Sequence, residues 1–364
     1  MRIGIDIRKY HDYGIGTYIQ NLMNVYQHRD NLECVFFGND ELRSETIKLG
    51  KSSFISDNSP KYSLQELKSI SKKVNSQQLD IFHSPHYTYP VGLKVPGVVT
   101  VHDIIHLRMK EYFTLPKRIY AYLMIHHACA ASSAIIVDSA FGKEELLSIF
   151  RIPEKKIHIV PLGVDSTYFE ILQENEVENV TRKYGITKSY ILYTGSVKPH
   201  KNVPTLLKAF HTLRHRHNVQ LVFTGERISD VPQLQKYVTE NGLTDSVIDL
   251  GRIPRKELKA VYQSAHAVVL PSHYEGFGFS MLEAMASGVP AIGARATSIT
   301  EVVGDAGLLF DPLDDSALTR HLDDILTNEP LRTSLIEKGT ARAKQFSWEQ
   351  CAERTINIYH EVLN

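Results

Sequence analysis

Apolar positions along the chain gather into short, nearly continuous β-branched runs, each followed by a stretch of helical spacing. In the first half the runs are Arg2–Ile7, Cys34–Phe37, Ile81–His83, Gly97–Val101, Ala134–Val137 and Ile157–Val160. In the second half they are Tyr190–Thr194, Gln220–Phe223, Val247–Leu250, Ala267–Leu270, Ala291–Gly293 and Gly307–Phe310. Strands that are apolar on both faces and alternate with helices belong to parallel sheets covered on both sides. Val203, Leu206, Leu207, Phe210 and Leu213 carry the i, i+3, i+4, i+7 spacing of a buried helical stripe. The two groups of runs predict two doubly wound α/β units rather than one barrel. The polar stretch Asp165–Lys188, with Glu174, Glu176 and Glu178 close together, is the expected connection between them. Such sheets bind ligands beyond the carboxyl ends of their strands, so a deep cleft between the units is the expected site.

Length supports this division, because 364 residues exceed what one core usually sustains. Lysine plus arginine and aspartate plus glutamate are balanced at 41 each, so no global field marks a nucleic-acid partner. Cys34, Cys129 and Cys351 lie far apart, with neither disulfide nor metal spacing, and point to a reducing cytoplasmic location. No run approaches the roughly 18 apolar residues of a membrane span, and Met1–Asp6 reads as a strand rather than a secretory leader. The segment Met109–Ala130 mixes Lys110, Lys117 and Arg118 with Tyr112, Phe113, Tyr120 and Tyr122. It reads either as an ordinary half-buried helix or as a peripheral membrane contact.

Four places carry candidate chemistry. After the run ending at Leu270, the loop Tyr274-Glu-Gly-Phe-Gly278 leads into Ser280-Met-Leu-Glu283. Gly276 and Gly278 permit a tight loop with exposed amides beside a positive helix end, a seat for phosphate. Ser280 and Glu283 have capping-box spacing, so Glu283 either caps the helix or serves a ligand. The second place is Gly195-Ser-Val-Lys-Pro-His-Lys201-Asn202, where Asn202 can cap the following helix. Lys201 then stands at a helix start, as a diphosphate contact or as a solvated loop cation. Third, His102-Asp103 follows a strand at its carboxyl end, either a structural pair or a reactive one. Fourth, Gly14-Ile-Gly16 opens a helix but comes too late after the first strand, and lacks the third glycine, for a dinucleotide fingerprint. A flexible loop over the expected cleft, in reach of a ligand, is the expectation for Gly14 and Gly16. No Asp-x-Asp and no clustered His/Cys set occurs, so no metal site is expected.

Glu275 and Glu283, eight apart around Gly-Phe-Gly and followed by Ala284-Met-Ala-Ser-Gly-Val-Pro290, resemble the paired-glutamate signature of the retaining glycosyltransferase family 4. Asp6-Ile-Arg8 with Gly14-Ile-Gly16, Val101-His-Asp103, Val160–Asp165, Gly195 to Asn202, Phe310-Asp-Pro312 and Phe346-Ser-Trp348 follow that family in the same order. The resemblance spans essentially the whole chain and is nearest to bacterial mannosyl- and rhamnosyltransferases of surface-polysaccharide assembly.

The resemblance implies the GT-B architecture, with two Rossmann-like domains. Residues 1–168 would bind the acceptor and 169–347 the nucleotide sugar, while the helix 348–364 returns to the first domain. It implies that Glu275 holds donor-sugar hydroxyls, with Gly276, Phe277, Gly278 and Phe279 around it, and that Glu283 accepts from the ribose. Lys201 would meet the diphosphate, and Ser196 and His200 occupy positions where many members carry arginine, leaving Lys198 as a substitute cation. His102 would face the donor sugar, with Asp103 orienting it or the acceptor. The implied reaction is metal-independent, retaining hexosyl transfer from a nucleotide sugar to a saccharide or lipid-linked saccharide, without a resident cofactor. GDP-mannose is the first expectation for the donor; UDP-glucose and dTDP- or GDP-rhamnose stay open. A nucleotide-sugar epimerase and a non-catalytic binding protein are the rival readings.

Overall fold

The computed structural model describes residues 1–47, 52–60 and 63–364. The chain divides into two compact units, one made of Met1–Gly163 with Ser347–Asn364 and the other of Val164–Phe346.

The sheet of the first unit contains β1 (Arg2–Asp6), β2 (Glu33–Gly38), β3 (Ser53–Ser56), β4 (Ile81–Ser84), β5 (Gly97–Thr100), β6 (Ala134–Val137) and β7 (Ile157–Ile159). Its order is β3-β2-β1-β4-β5-β6-β7, all parallel, with Ile3 opposite Cys34 on one side and Ile81 on the other. Helices cover both faces, which is why the central strands are apolar throughout. The six runs expected here become seven strands. β3 was hidden because Ser53-Phe-Ile-Ser56 is short and half polar, as an edge strand can be.

The helix Trp348–Leu363 belongs to this first unit. A buried polar chain ties it there. The Tyr359 hydroxyl pairs with His83 Nδ1 at 2.6 Å and with the Tyr26 hydroxyl at 3.2 Å. His83 Nε2 pairs with Thr100 Oγ1 at 2.8 Å, and Thr100 in turn with the Tyr18 hydroxyl at 3.1 Å. Gly163 is close-packed against the start of the helix, since a Cβ there would meet Trp348 N at 2.3 Å.

The second unit holds β8 (Tyr190–Gly195), β9 (Gln220–Gly225), β10 (Val247–Asp249), β11 (Ala267–Leu270), β12 (Ala291–Ala294) and β13 (Leu308–Phe310). These too are parallel, in the order β10-β9-β8-β11-β12-β13. The reversal of direction between β8 and β11 is a topological switch point, beyond whose carboxyl ends ligands bind in doubly wound sheets. The stretch Asp165–Lys188 is not a free connection. Its helix Glu174–Lys183 packs on the helix Arg255–Gln263, pinned by Lys183 on Glu257 at 2.7 Å, while Lys259 reaches Glu170 at 2.8 Å. The division therefore falls at Gly163, ahead of the expected residue 168, because Tyr168 is buried against Tyr262.

Burial pushes His83 down to about 3, so its imidazole is neutral in the folded chain near neutrality. Burial lowers His86 as well, and His200 to about 4. A depressed histidine favours folding above its ordinary value of 6.5, and that contribution is lost as pH falls toward the folded value, because the unfolded chain takes up protons first. Urea midpoints should thus drop between about pH 7 and about pH 5, and less steeply in His83→Gln. Midpoints that hold or rise on acidification would contradict this. Tyr359→Phe leaves His83 Nδ1 without its partner and should cost about 1–3 kcal/mol of unfolding free energy.

Candidate functional site

In the second unit the carboxyl ends of β8 and β11 bring the Lys201 and Glu275 loops together. Lys201 Nζ lies 2.7 and 2.8 Å from the two Glu275 carboxylate oxygens. Ser272 Oγ donates to Oε1 of the same carboxylate at 2.5 Å. The Glu275 backbone is held as well, its N–H donating to Thr297 Oγ1 at 3.1 Å and its carbonyl accepting from Ser298 Oγ at 2.9 Å. Glu275 therefore has a structural partner as well as a candidate chemical role. Both side chains of the pair keep some exposure, 18% for Lys201 and 11% for Glu275.

The Lys201 loop is built by Asn202. At φ 54° it adopts the left-handed conformation that asparagine tolerates better than most residues. Its amide does not cap the next helix, contrary to expectation. Instead Nδ2 donates to the carbonyls of Pro271 and Pro312, at 3.0 and 2.8 Å, locking three loops at one sheet end. Ser196 sits where β8 ends, its carbonyl accepting from the Tyr193 hydroxyl. Gly195 and Gly225 face each other across β8 and β9 at positive φ, and a Cβ on Gly225 would meet Gly195 O at 2.3 Å. His200 is buried and held neutral, mainly by burial and next by Lys201, so it supplies no second cation. Lys198 is exposed beside it.

The capping box expected at Ser280 and Glu283 does not form. The helix Phe279–Ala286 starts one residue earlier, behind Gly278 at φ 102°, and has no side-chain cap. The dipole leaves that helix end positive. Phe277 is buried, edge-on to Phe279 at 5.7 Å and to Phe346 at 6.1 Å, which anchors the loop carrying Gly276 and Gly278. Released from capping, Glu283 accepts from the Tyr262 hydroxyl at 2.6 Å and also hydrogen-bonds Tyr168. Burial raises its pKa against the pull of those two donors.

The first unit carries His102 just beyond β5. Asp103 does not orient it; its carboxylate accepts from Ile105 N at 3.1 Å and shapes the next turn. The partner is Asp138, beyond β6, whose Oδ2 lies 2.8 Å from His102 Nδ1. Burial works against the imidazolium, but the fully buried Asp138 carboxylate outweighs it and raises His102 above the ordinary histidine value. Nε2 is buried, and the Pro85 backbone beside the ring adds to the rise. Tyr18 meets the ring edge-on at 4.9 Å. Asp138 escaped sequence reading because it lies 36 residues from His102; its signal was an acid directly after a strand, before the helix-capping Ser139.

Gly14 and Gly16 do not form an open loop. Both lie in the first turn of the helix Tyr13–Tyr26. Gly16 is buried, and a Cβ there would stand 2.3 Å from the Tyr10 carbonyl, so its glycine is needed for packing; Gly14 is exposed.

This arrangement can be set beside known proteins. Residues 13–168 match the family described as Glycosyltransferase Family 4, and residues 176–342 match Glycosyl transferases group 1. The O-antigen chain mannosyltransferase B of Escherichia coli is 34% identical over 282 residues, covering 77% of this chain and 74% of that one. This chain belongs to glycosyltransferase family 4. The MMP alpha-(1->4)-mannosyltransferase of Mycolicibacterium hassiacum is 30% identical over 254 residues, 68% of this glycosyltransferase and 59% of that protein. In fold, the glycosyltransferase is similar to Anabaena HepE solved with UDP and glucose, with a TM-score of 0.81, 18% identity, and 99% and 100% of the two chains covered. The GT-B fold of two Rossmann-like domains follows.

Replacing Glu275 by alanine leaves Lys201 without its carboxylate and Ser272 without its acceptor. It should cost about 1–3 kcal/mol in urea unfolding, with Glu275→Gln, which keeps an acceptor for Ser272, costing less. Equal midpoints for all three proteins would remove the pair from the stability account. Asp138→Asn should lower the His102 pKa, followed by NMR titration of the ring; a titration unmoved from the native one would contradict the assigned cause.

Proposed function

We propose that this glycosyltransferase moves a hexosyl group, mannose first, from a nucleotide sugar to a saccharide acceptor in polysaccharide synthesis, with retention of anomeric configuration. The observation that carries this reading is the Lys201–Glu275 pair at the switch point of the second sheet. A donor would part the two. The ammonium then neutralises charge gathering on the departing diphosphate, and the carboxylate takes hydroxyls of the sugar. In this reading the countercharge comes from Lys201, from Lys198 and from the uncapped amides behind Gly278 rather than from a metal. Glu283, held by Tyr262 and Tyr168, would turn a remaining lone pair to the ribose, since a carboxylate suits a diol by accepting only.

For the first unit, the reading assigns acceptor binding and a place for His102 beside the reacting sugar. Asp138 takes Nδ1, which leaves Nε2, buried in the unliganded chain, as the ring atom a substrate would have to reach. No residue is assigned as a covalent nucleophile; a same-face displacement through an oxocarbenium-like state fits the groups present. The mannosyltransferase names of two relatives support mannose, and UDP in the HepE structure keeps the base open. GDP, UDP and dTDP can be ranked by the rise each gives in melting temperature.

The purified enzyme should release nucleoside diphosphate from its donor at a rate that depends on acceptor. Glu275→Gln should lower kcat/KM by at least about a hundredfold. Conversion of the free nucleotide sugar without acceptor would favour an epimerase, and donor binding without turnover a binding protein.

A further inference from the structure

The second unit has a concave surface at the amino ends of its strands, the opposite end of the sheet from Lys201 and Glu275. Lys188 stands two residues before β8, Val219 directly before β9 and Ser246 directly before β10, and these loops line a cavity of about 560 Å³. β8 is six residues long, which separates the two ends of the sheet by about 20 Å. Around the cavity stand Lys188, Arg214, His215, Arg216 and His217, against one carboxylate, Asp245. Over the whole chain basic and acidic residues balance at 41 each, so this excess is local. The loop that carries it is held in place. Arg214 donates to the Gly242 carbonyl, tying the end of the helix Val203–Leu213 to the turn before β10. His217 pairs with Asp323 of the helix Asp315–Thr327 at 2.5 Å, and Asp323 also lies 3.6 Å from Arg216. The dipole of the helix ending at Leu213 accounts for cations just after it, but not for Lys188, which comes from a separate loop.

We propose that this cavity binds a soluble, phosphate-bearing small molecule, at a site separate from the Lys201–Glu275 pair. Its volume is that of a small-ligand site rather than of a macromolecular interface. Guanidinium forks and an ammonium take phosphate oxygens through charge-assisted hydrogen bonds, the arginines with two bonds to one group. A concave surface lined by one sign of charge also concentrates anions. The lining residues include no exposed large apolar side chain for acyl chains to cover, which favours a soluble phosphate compound over a lipid headgroup. The proposal goes beyond the transferase reading and does not rest on it, because the two sites lie at opposite ends of the sheet.

The test is equilibrium dialysis of the full chain against radiolabelled pyrophosphate, carried out on the Lys201→Gln variant. That change drops the charge of the other site while keeping a hydrogen-bond donor for Glu275. The variant should bind pyrophosphate, and less tightly as salt is raised. Adding Lys188→Ala and Arg216→Ala should weaken binding about tenfold or more, and Lys188→Glu alone should weaken it too. Removing two cations elsewhere on the unit, by Lys236→Ala with Arg320→Ala, should leave binding unchanged. All four positions are exposed, so each protein should melt like its Lys201→Gln parent. No binding to the Lys201→Gln chain, no loss on changing Lys188 and Arg216, or an equal loss from the distant pair would each overturn the proposal. None of these results touches the role of Lys201 and Glu275, which acceptor-dependent transfer by the native chain tests separately.

Discussion

An ammonium and a carboxylate placed against each other at the end of a parallel sheet organise the second unit. Lys201 and Glu275 come from separate loops, one fixed by the Asn202 side-chain amide on the carbonyls of Pro271 and Pro312, the other by the Glu275 backbone on the hydroxyls of Thr297 and Ser298. Without the pair these loops would carry two unpaired charges, a largely buried cation and a largely buried anion with nothing opposite. With it each charge has its partner at the end of the sheet, where the proposed donor would take both. Such a pair is weak evidence for stability as such, because desolvation offsets much of its attraction. Its value is positional.

The first unit solves a different problem, that of holding one ring still. His102 is fixed by Asp138 on one side and by Tyr18 on its edge, and Tyr18 reports through Thr100 and His83 to Tyr359 on the closing helix. From Tyr18 through Thr100 and His83 to Tyr359 each side chain has a polar partner, which makes a buried network rigid. The closing helix is thus linked by hydrogen bonds to the environment of His102, which explains why a segment remote in sequence belongs to this unit.

The parallel sheets were legible because continuous apolar runs have few other uses, and even the boundaries of β6 and β11 follow from Ala134–Val137 and Ala267–Leu270. β3 was not, since an edge strand needs little apolar surface. Glu275 and Lys201 could be picked out by spacing and resemblance, but not that they bind each other, because that depends on two loops meeting across 74 residues. Gly14 and Gly16 misled for the opposite reason: glycine reads as loop, whereas Gly16 is needed where a helix passes under the Tyr10 carbonyl. Ser280 misled through its spacing from Glu283, because Gly278 takes the cap position two residues earlier than the pattern required.

The most direct measurement is a crystal structure of the enzyme with a bound nucleotide sugar. The account expects Lys201 Nζ on a phosphate oxygen, the Glu275 carboxylate on hydroxyls of the sugar and the ribose on Glu283, the ion pair having opened to admit the donor. A donor bound elsewhere, with Lys201 and Glu275 still joined, would contradict it.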